Sequence, residues 1–261
     1  MASIAMSSAQ MWGRLWGALP ADWATVEQQQ LPAYETAIRE LGIGVGQRVL
    51  DVGCGTGVFL RAAADRGARV VGFDASEPLL AIARTRVPEA DLHVGDMETL
   101  PFGDGGFDVV TGFCSFFFAD DMTRALREAA RVTKPGGTVL VQVFGRPERC
   151  ALDVMKNALV PLLPMAGDGP AYWRTDVLEP IARDSGLELL ESFSSSTAYE
   201  FPDQGAMLAA MLSAGSAVAA AEYAGREAVT SAIVEALAPY RTADGGYRLE
   251  NEWHYFRCGR S

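Results

Sequence analysis

The sequence predicts an α/β fold: a Rossmann-like, doubly wound sheet of seven mainly parallel strands, the last antiparallel, with a helical lid. Three observations carry this expectation. Short apolar runs alternate with helical patterns from residue 47 to 144, as parallel strands joined by crossover helices require. The run Val49 to Val52 passes straight into Gly53-Cys54-Gly55-Thr56-Gly57, alternate glycines that let a backbone bend with φ > 0 and approach a ligand at a helix start. Outside that stretch the apolar residues take helical spacing, which suits a cover over the sheet.

In chain order, Trp12, Leu15, Trp16 and Leu19 recur at i, i+3, i+4 and i+7, so residues 1–42 read as a helical lid segment. The core, residues 43–145, holds strands at Arg48 to Val52, Val70 to Phe73, Leu92 to Val94, Phe107 to Phe113 and Thr138 to Phe144. Helices fit between them at Val58 to Asp65, at Glu77 to Arg86 before Pro88, and at Met122 to Thr133, where Pro135-Gly136-Gly137 stops the pattern. Residues 146–186 read as a helical insertion with a loop marked by Pro161, Pro164, Gly167, Gly169 and Pro170. Residues 187–261 complete the sheet with Leu187 to Phe193 and Tyr247 to Arg257, around an Ala-rich helical lid insertion at about 203–238.

Composition narrows the function. Of 261 residues, 49% are hydrophobic and 21% charged, ordinary for a globular chain with a sizeable core. A formal net charge of −11 repels phosphate backbones and anionic lipid, so neither nucleic acid nor a membrane is expected as partner. Cys54, Cys114, Cys150 and Cys258 form no C-x-x-C pair, which suits a reducing compartment; with no basic leader and no span-length apolar run, a cytoplasmic monomer or homodimer is expected. Asp120 and Asp121 read as a helix N-cap and first-turn acid rather than a metal pair, and no metal is expected.

The glycine turn is a ligand turn, and the neighbouring residues restrict the ligand. A dinucleotide turn wants G-x-G-x-x-G, but here the third glycine, Gly57, comes one position early. A phosphate-cradling loop would end in Gly-Lys-Ser/Thr, and none follows.

Val49 to Gly57 resembles the first motif of class I S-adenosylmethionine-dependent methyltransferases, and later stretches agree in order. Val70-Val71-Gly72-Phe73-Asp74-Ala75-Ser76 is similar to the family's second strand and acidic turn, Gly95-Asp96-Met97 to its adenine-side motif, Phe107-Asp108-Val109-Val110 to its fourth strand, and Lys134-Pro135-Gly136-Gly137 to the turn into its fifth. The pattern looks like the small-molecule, ubiquinone/menaquinone-methyltransferase-like branch. The resemblance implies S-adenosylmethionine as cofactor and S-adenosylhomocysteine as product, with Asp51, Gly53, Cys54, Gly55, Gly57, Asp74, Ala75, Asp96, Met97 and Phe113 around it. It gives Asp74 the ribose hydroxyls and Asp96 the adenine amino group, whereas the plainer reading of each is a turn carboxylate. Asp51 either faces the ligand's ammonium or braces the loop. Cys54 reads as a small buried filler of the turn, not a nucleophile.

The acceptor side departs from many small-molecule members, which carry a His pair or another polar residue after the fourth strand. Here Gly112-Phe113-Cys114-Ser115-Phe116-Phe117-Phe118 is apolar and aromatic, which suits a flat or greasy acceptor, although core packing is the better reading of any one phenylalanine taken alone. Phe117, Trp16 and Trp173 are the candidate acceptor contacts. Tyr34, Tyr172 and His254 are the candidate acids or bases, with a packing role the alternative for each; His93 reads as structural. The expected activity is in-line methyl transfer to O, N or C of a small molecule. A fold relative catalysing rearrangement or cyclisation, and a non-catalytic binding or regulatory protein, are the alternatives.

Overall fold

In chain order, the strands are β1 (Arg48–Val52), β2 (Arg69–Asp74), β3 (Asp91–Val94), β4 (Phe107–Phe113), β5 (Thr133–Phe144), β6 (Leu187–Phe201) and β7 (Tyr247–Arg260). The computed structural model describes residues 6–163 and 170–260, so Pro164, Gly167 and Gly169 of the expected loop lie outside the described residues. The seven strands form one sheet in the order β3-β2-β1-β4-β5-β7-β6. β1 to β5 pair in parallel, and β7 runs antiparallel to both its neighbours. The fold class expected from the sequence is therefore borne out.

Period-two alternation explains the two covered faces. Val49 of β1 packs with Val58, Phe59 and Ala63 of α4 (Val58–Ala64), with α3 (Leu31–Glu40) and with α5 (Glu77–Arg86). Its neighbours Leu50 and Val52 point the other way, onto Leu126, Ala129 and Val132 of α6 (Met122–Val132) and onto α8 (Thr175–Asp184). The start of α6 is capped as a helix beginning with an acid should be, with the Asp121 carboxylate accepting from the Thr123 and Arg124 amides.

Above the first face lie α1 (Ser8–Trp16), α2 (Pro20–Gln28), α7 (Ala151–Leu159), α9 (Gln204–Leu212), α10 (Gly215–Ala224) and α11 (Arg226–Leu237). Residues 1–42 divide in two. The Trp-bearing α1 and α2 reach over the sheet's carboxyl end, while α3 buries Ala33, Tyr34, Ala37 and Ile38 in the main core.

The largest difference from the sequence reading is the length of the last two strands. β6 runs to Phe201 because Ser194 to Thr197 still ladder with β7, although their polar side chains interrupt the apolar alternation. β5 pairs with β7 only as far as Phe144 opposite Trp253, so the rest of β6 and β7 continues as a two-stranded ribbon. Helices α9 to α11 are inserted at the end of that ribbon, and their length carries them back over α1 and α7.

A buried carboxylate paired with two exposed arginines fixes the chain as it leaves β5. Glu252 of β7 accepts from the Arg146 backbone and guanidinium at 3.1 Å, while its own carbonyl accepts from the Gly145 amide at 2.8 Å. With Arg149 also near, these donors hold the Glu252 carboxyl at about 2, below its ordinary 4.5. A depressed acid contributes stability above its unfolded value and loses it as pH falls through the folded one. Glu252→Gln should therefore cost about 1–3 kcal/mol at pH 7 and remove much of the stability loss between pH 4.5 and 2. Denaturant titrations at both pH values check this, and an equal loss at each would contradict it.

Candidate cofactor and acceptor site

The site begins where β1 ends. Gly53, Gly55 and Gly57 hold φ of 79°, 54° and 80°, a region side chains rarely adopt. A Cβ on Gly53 would stand 2.4 Å from the Ser115 Cβ, so the turn closes only on glycine. The Gly53 and Cys54 amides donate to the Phe73 carbonyl at 2.7 and 3.1 Å, tying the turn to the end of β2.

Asp74 completes that tie. One carboxylate oxygen accepts from the Gly55 amide and the other from the Ser76 amide, each at 2.8 Å. Each oxygen keeps a further lone pair, and the residue lines the cavity. Asp96 follows β3 and accepts from the Glu98 amide at 2.9 Å, with Met97 beside it on the same wall.

Seven of the ten expected cofactor residues line one cavity: Gly53, Gly55, Asp74, Ala75, Asp96, Met97 and Phe113. Asp51, Cys54 and Gly57 do not. Asp51 lies beneath the turn and accepts the Thr111 hydroxyl at 2.7 Å, the bracing arrangement. Cys54 points its sulfur toward β2, where a Cβ on Gly72 would meet it at 2.8 Å, and burial pushes its thiol well above the ordinary range. Gly57 faces α5, where its missing side chain lets Ala83 come close.

Beyond the turn the cavity opens into a second, aromatic chamber. Trp12, Trp16, Trp23, Phe117, Phe118, Phe144 and Leu152 line both regions, so the two are continuous. Trp16 meets Trp23 edge-on at 4.5 Å, and Phe117 stacks on Tyr172 at 6.1 Å. Trp173 lines the second chamber too, so all three candidate acceptor contacts face the cavity.

The candidate acids and bases fare differently. His254 is not brought to the cavity: Trp253 points into it, so the next residue on the strand faces the other way, and the His254 Nδ1 meets Ser194 Oγ at 3.0 Å. Tyr34 lines the first region and Tyr172 the second, but burial raises both phenols above their ordinary value, which leaves them neutral hydrogen-bond donors instead of bases.

Residues 50–141 match the family described as a methyltransferase domain, the stretch that carries the turn, Asp74 and Asp96. Residues 50–141 therefore carry a methyltransferase domain. Among methyltransferase relatives, it is 42% identical over 107 residues to the demethylmenaquinone methyltransferase of Renibacterium salmoninarum, covering 41% of this chain and 45% of that one. It is 34% identical over 133 residues to a dTDP-4-amino-2,3,4,6-tetradeoxy-D-glucose N,N-dimethyltransferase of Saccharopolyspora spinosa, covering 49% and 51%. The matches thus span about half the length of these relatives. By shape, it resembles a candidate methyltransferase of Bacillus halodurans (TM-score 0.60, 21% identity, 87% of this chain and 98% of that one). The [4+2]-cyclase SpnF is another neighbour in fold (TM-score 0.57, 23% identity, 88% and 81%). No single described helix is long and apolar enough to cross a membrane.

One residue of the cavity wall has no signal in the sequence motifs. Glu27 of α2 is buried against the glycine turn, accepting from the Thr56 amide at 2.8 Å and reaching the Val58 amide at 3.5 Å. Read along the chain, it is one polar position in a helix of low amphipathicity, and only folding sets it over a turn 28 residues away. Gln30, Trp23, Ser115 and Phe118 also join the lining without being expected as site residues.

Glu27 and Asp74 at the turn end of the cavity, with Asp51 beneath the turn, bring three carboxyls near one another, and desolvation raises each of them. Arg86 offsets this for Glu27, donating at 2.8 Å to the Thr56 carbonyl nearby. The Asp51 carboxyl is pushed up to about 8 by burial, with Glu27 and Asp74 adding to the effect. A carboxyl raised in the folded state stabilises while protonated; that contribution is complete below the unfolded value, 3.8, and lost as pH rises through 8. Asp51→Asn, which keeps an acceptor for Thr111, should flatten the fall of the thermal midpoint across that window. An unchanged slope would mean that Asp51 is ionised in the folded protein throughout.

Proposed function

We propose that this protein transfers the methyl group of S-adenosylmethionine to a small, largely apolar acceptor in the cytoplasm. The observation that carries the reading is one continuous cavity whose acidic end lies at the glycine turn and whose other end is walled by Trp12, Trp16, Trp23 and Trp173 of the lid together with Phe117 and Phe118 of the turn after β4. The lining fits the cofactor chemically. The spare lone pairs of Asp74 suit a ribose diol, and Asp96 with the Met97 backbone suits an adenine edge. The buried Glu27 and the half-buried Asp74 of this lining, with Arg86 the nearby cation, suit a ligand bearing an ammonium and a sulfonium.

When bound, the cofactor supplies a methyl group already activated by its sulfonium leaving group. The protein's part is alignment and exclusion of water. Trp12, Trp16 and Phe118 form a wall, with Trp12 and Phe118 4.6 Å apart, that separates the reacting region from solvent. Because Tyr34 and Tyr172 are held neutral, the chain offers no strong base among its candidates. An acceptor whose nucleophile is already electron-rich, such as an enolate-like ring carbon or a free amine, therefore fits better than an unactivated alcohol.

Of the relatives' acceptors, the aromatic chamber favours a flat ring like that of demethylmenaquinone over a sugar nucleotide. Among the described residues its lining cation is Lys156, already paired with Asp153, so none of them offers a diphosphate a free cation there. Incubation with methyl-labelled cofactor and a panel of quinol, phenol and amine acceptors should put label into a quinol-like product. Consumption of an acceptor without label transfer would overturn the reading in favour of rearrangement or cyclisation. Asp74→Asn should weaken cofactor binding about tenfold or more in calorimetry, the scale of a charge-assisted hydrogen bond, and an unchanged dissociation constant would remove Asp74 from the site.

A further inference from the structure

The aromatic chamber has one charged wall, and a single helix supplies it. Along α7, Asp153, Lys156 and Asn157 at i, i+3 and i+4 face the chamber, while Ala151 and Leu159 turn into the main core. Among the described residues, Asp153 and Lys156 are the only charged ones that line it.

Asp153 is the deeper of the two. Its side chain is 7% exposed; one oxygen accepts from Lys156 Nζ and the other from Asn157 Nδ2 at 3.0 Å. The Lys156 side chain is 47% exposed, and its ammonium lies 5.8 Å from the centre of the Phe144 ring on the chamber wall. The pair therefore presents its positive end to the chamber and keeps the negative end behind it. An ammonium has three N–H donors, and among the described residues only Asp153 takes one. Stability does not explain this arrangement, because apolar side chains would pack the wall without the cost of burying a carboxylate. A few polar groups in an otherwise apolar cavity are what fixes the orientation of a ligand.

The other titratable groups around Lys156 are held neutral. Its charge lowers the Cys114 and Cys150 thiols, but burial raises both by more, Cys150 to about 12. Burial likewise raises the phenols of Tyr172 and Tyr199, which also line the chamber.

We propose that Lys156 receives a hydroxyl oxygen of the acceptor and holds it as the conjugate base. The assignment rests on the transferase reading above and narrows it to a phenol or enol, since a protonated amine would meet a like charge. On binding, the O–H bond breaks with its electron pair left on oxygen, and the proton passes to solvent. Lys156 offsets the charge that forms, and the pair on oxygen enriches the ring to be methylated. That is the activation which Tyr34 and Tyr172, as neutral phenols, do not supply. Asp153 directs the ammonium and cancels part of its charge, so one weakly acidic hydroxyl suits the wall better than a diphosphate.

The test uses 4-nitro-1-naphthol, a flat probe whose ionised form absorbs in the visible, and 1-nitronaphthalene, which lacks the hydroxyl. Binding should lower the pH at which the naphthol ionises by about one unit, tenfold in its ionisation constant. Lys156→Met should remove the shift, Lys156→Arg should keep most of it, and Asp153→Asn, by deleting the counter-charge, should enlarge it. Each variant should bind 1-nitronaphthalene and S-adenosylhomocysteine as the unmutated protein does, which also shows that it is folded. No binding of the naphthol, no shift, a shift that survives Lys156→Met, or an equal loss of 1-nitronaphthalene would overturn the assignment and leave the transferase reading standing. Failure of the unmutated protein to bind S-adenosylhomocysteine would overturn that reading, and this assignment with it.

Discussion

The closure of the glycine turn onto the end of β2 is the constraint on which the site depends. Two amides of the turn converge on one carbonyl, at Phe73, and a third reaches the adjacent Asp74 carboxylate. That geometry requires left-handed backbone at Gly53 and Gly55, and Ser115 leaves no room for a side chain at the first. Once closed, the turn sets the start of α4, the direction of Asp74 and the floor of the cavity together.

The same closure explains the electrostatics. Asp51 is drawn under the turn and Glu27 is drawn over it, so two buried carboxyls stand near the half-buried Asp74. The hydrogen bonds that each accepts recover only part of the cost of burial. A cationic ligand recovers more, which is why the acidic end and the identity of the proposed cofactor are the same physical statement.

The lid solves a different problem. Aromatic side chains from α1, α2, the turn after β4 and the segment before α8 meet above the sheet, and none of these elements could shield the chamber alone. The route by which α9 to α11 return to this place is the long β6–β7 ribbon, held at its base by Glu252 and the two arginines. The fold neighbours share the sheet, and the cyclase among them illustrates that one fold hosts different chemistries.

The sequence alone determined the sheet, its strand order of appearance and the residues at its ligand-facing strand ends, because these follow from local alternation, from glycine's conformational range and from motifs a few residues long. Asp74, Asp96 and the glycines were legible for that reason. Only the tertiary structure decided that Glu27 and Gln30 join the cavity wall, that Tyr34 is buried there, and that His254 faces away from it. Those properties depend on which buried surfaces meet across tens of residues and on the desolvation that results, and neither is written in the spacing of the chain.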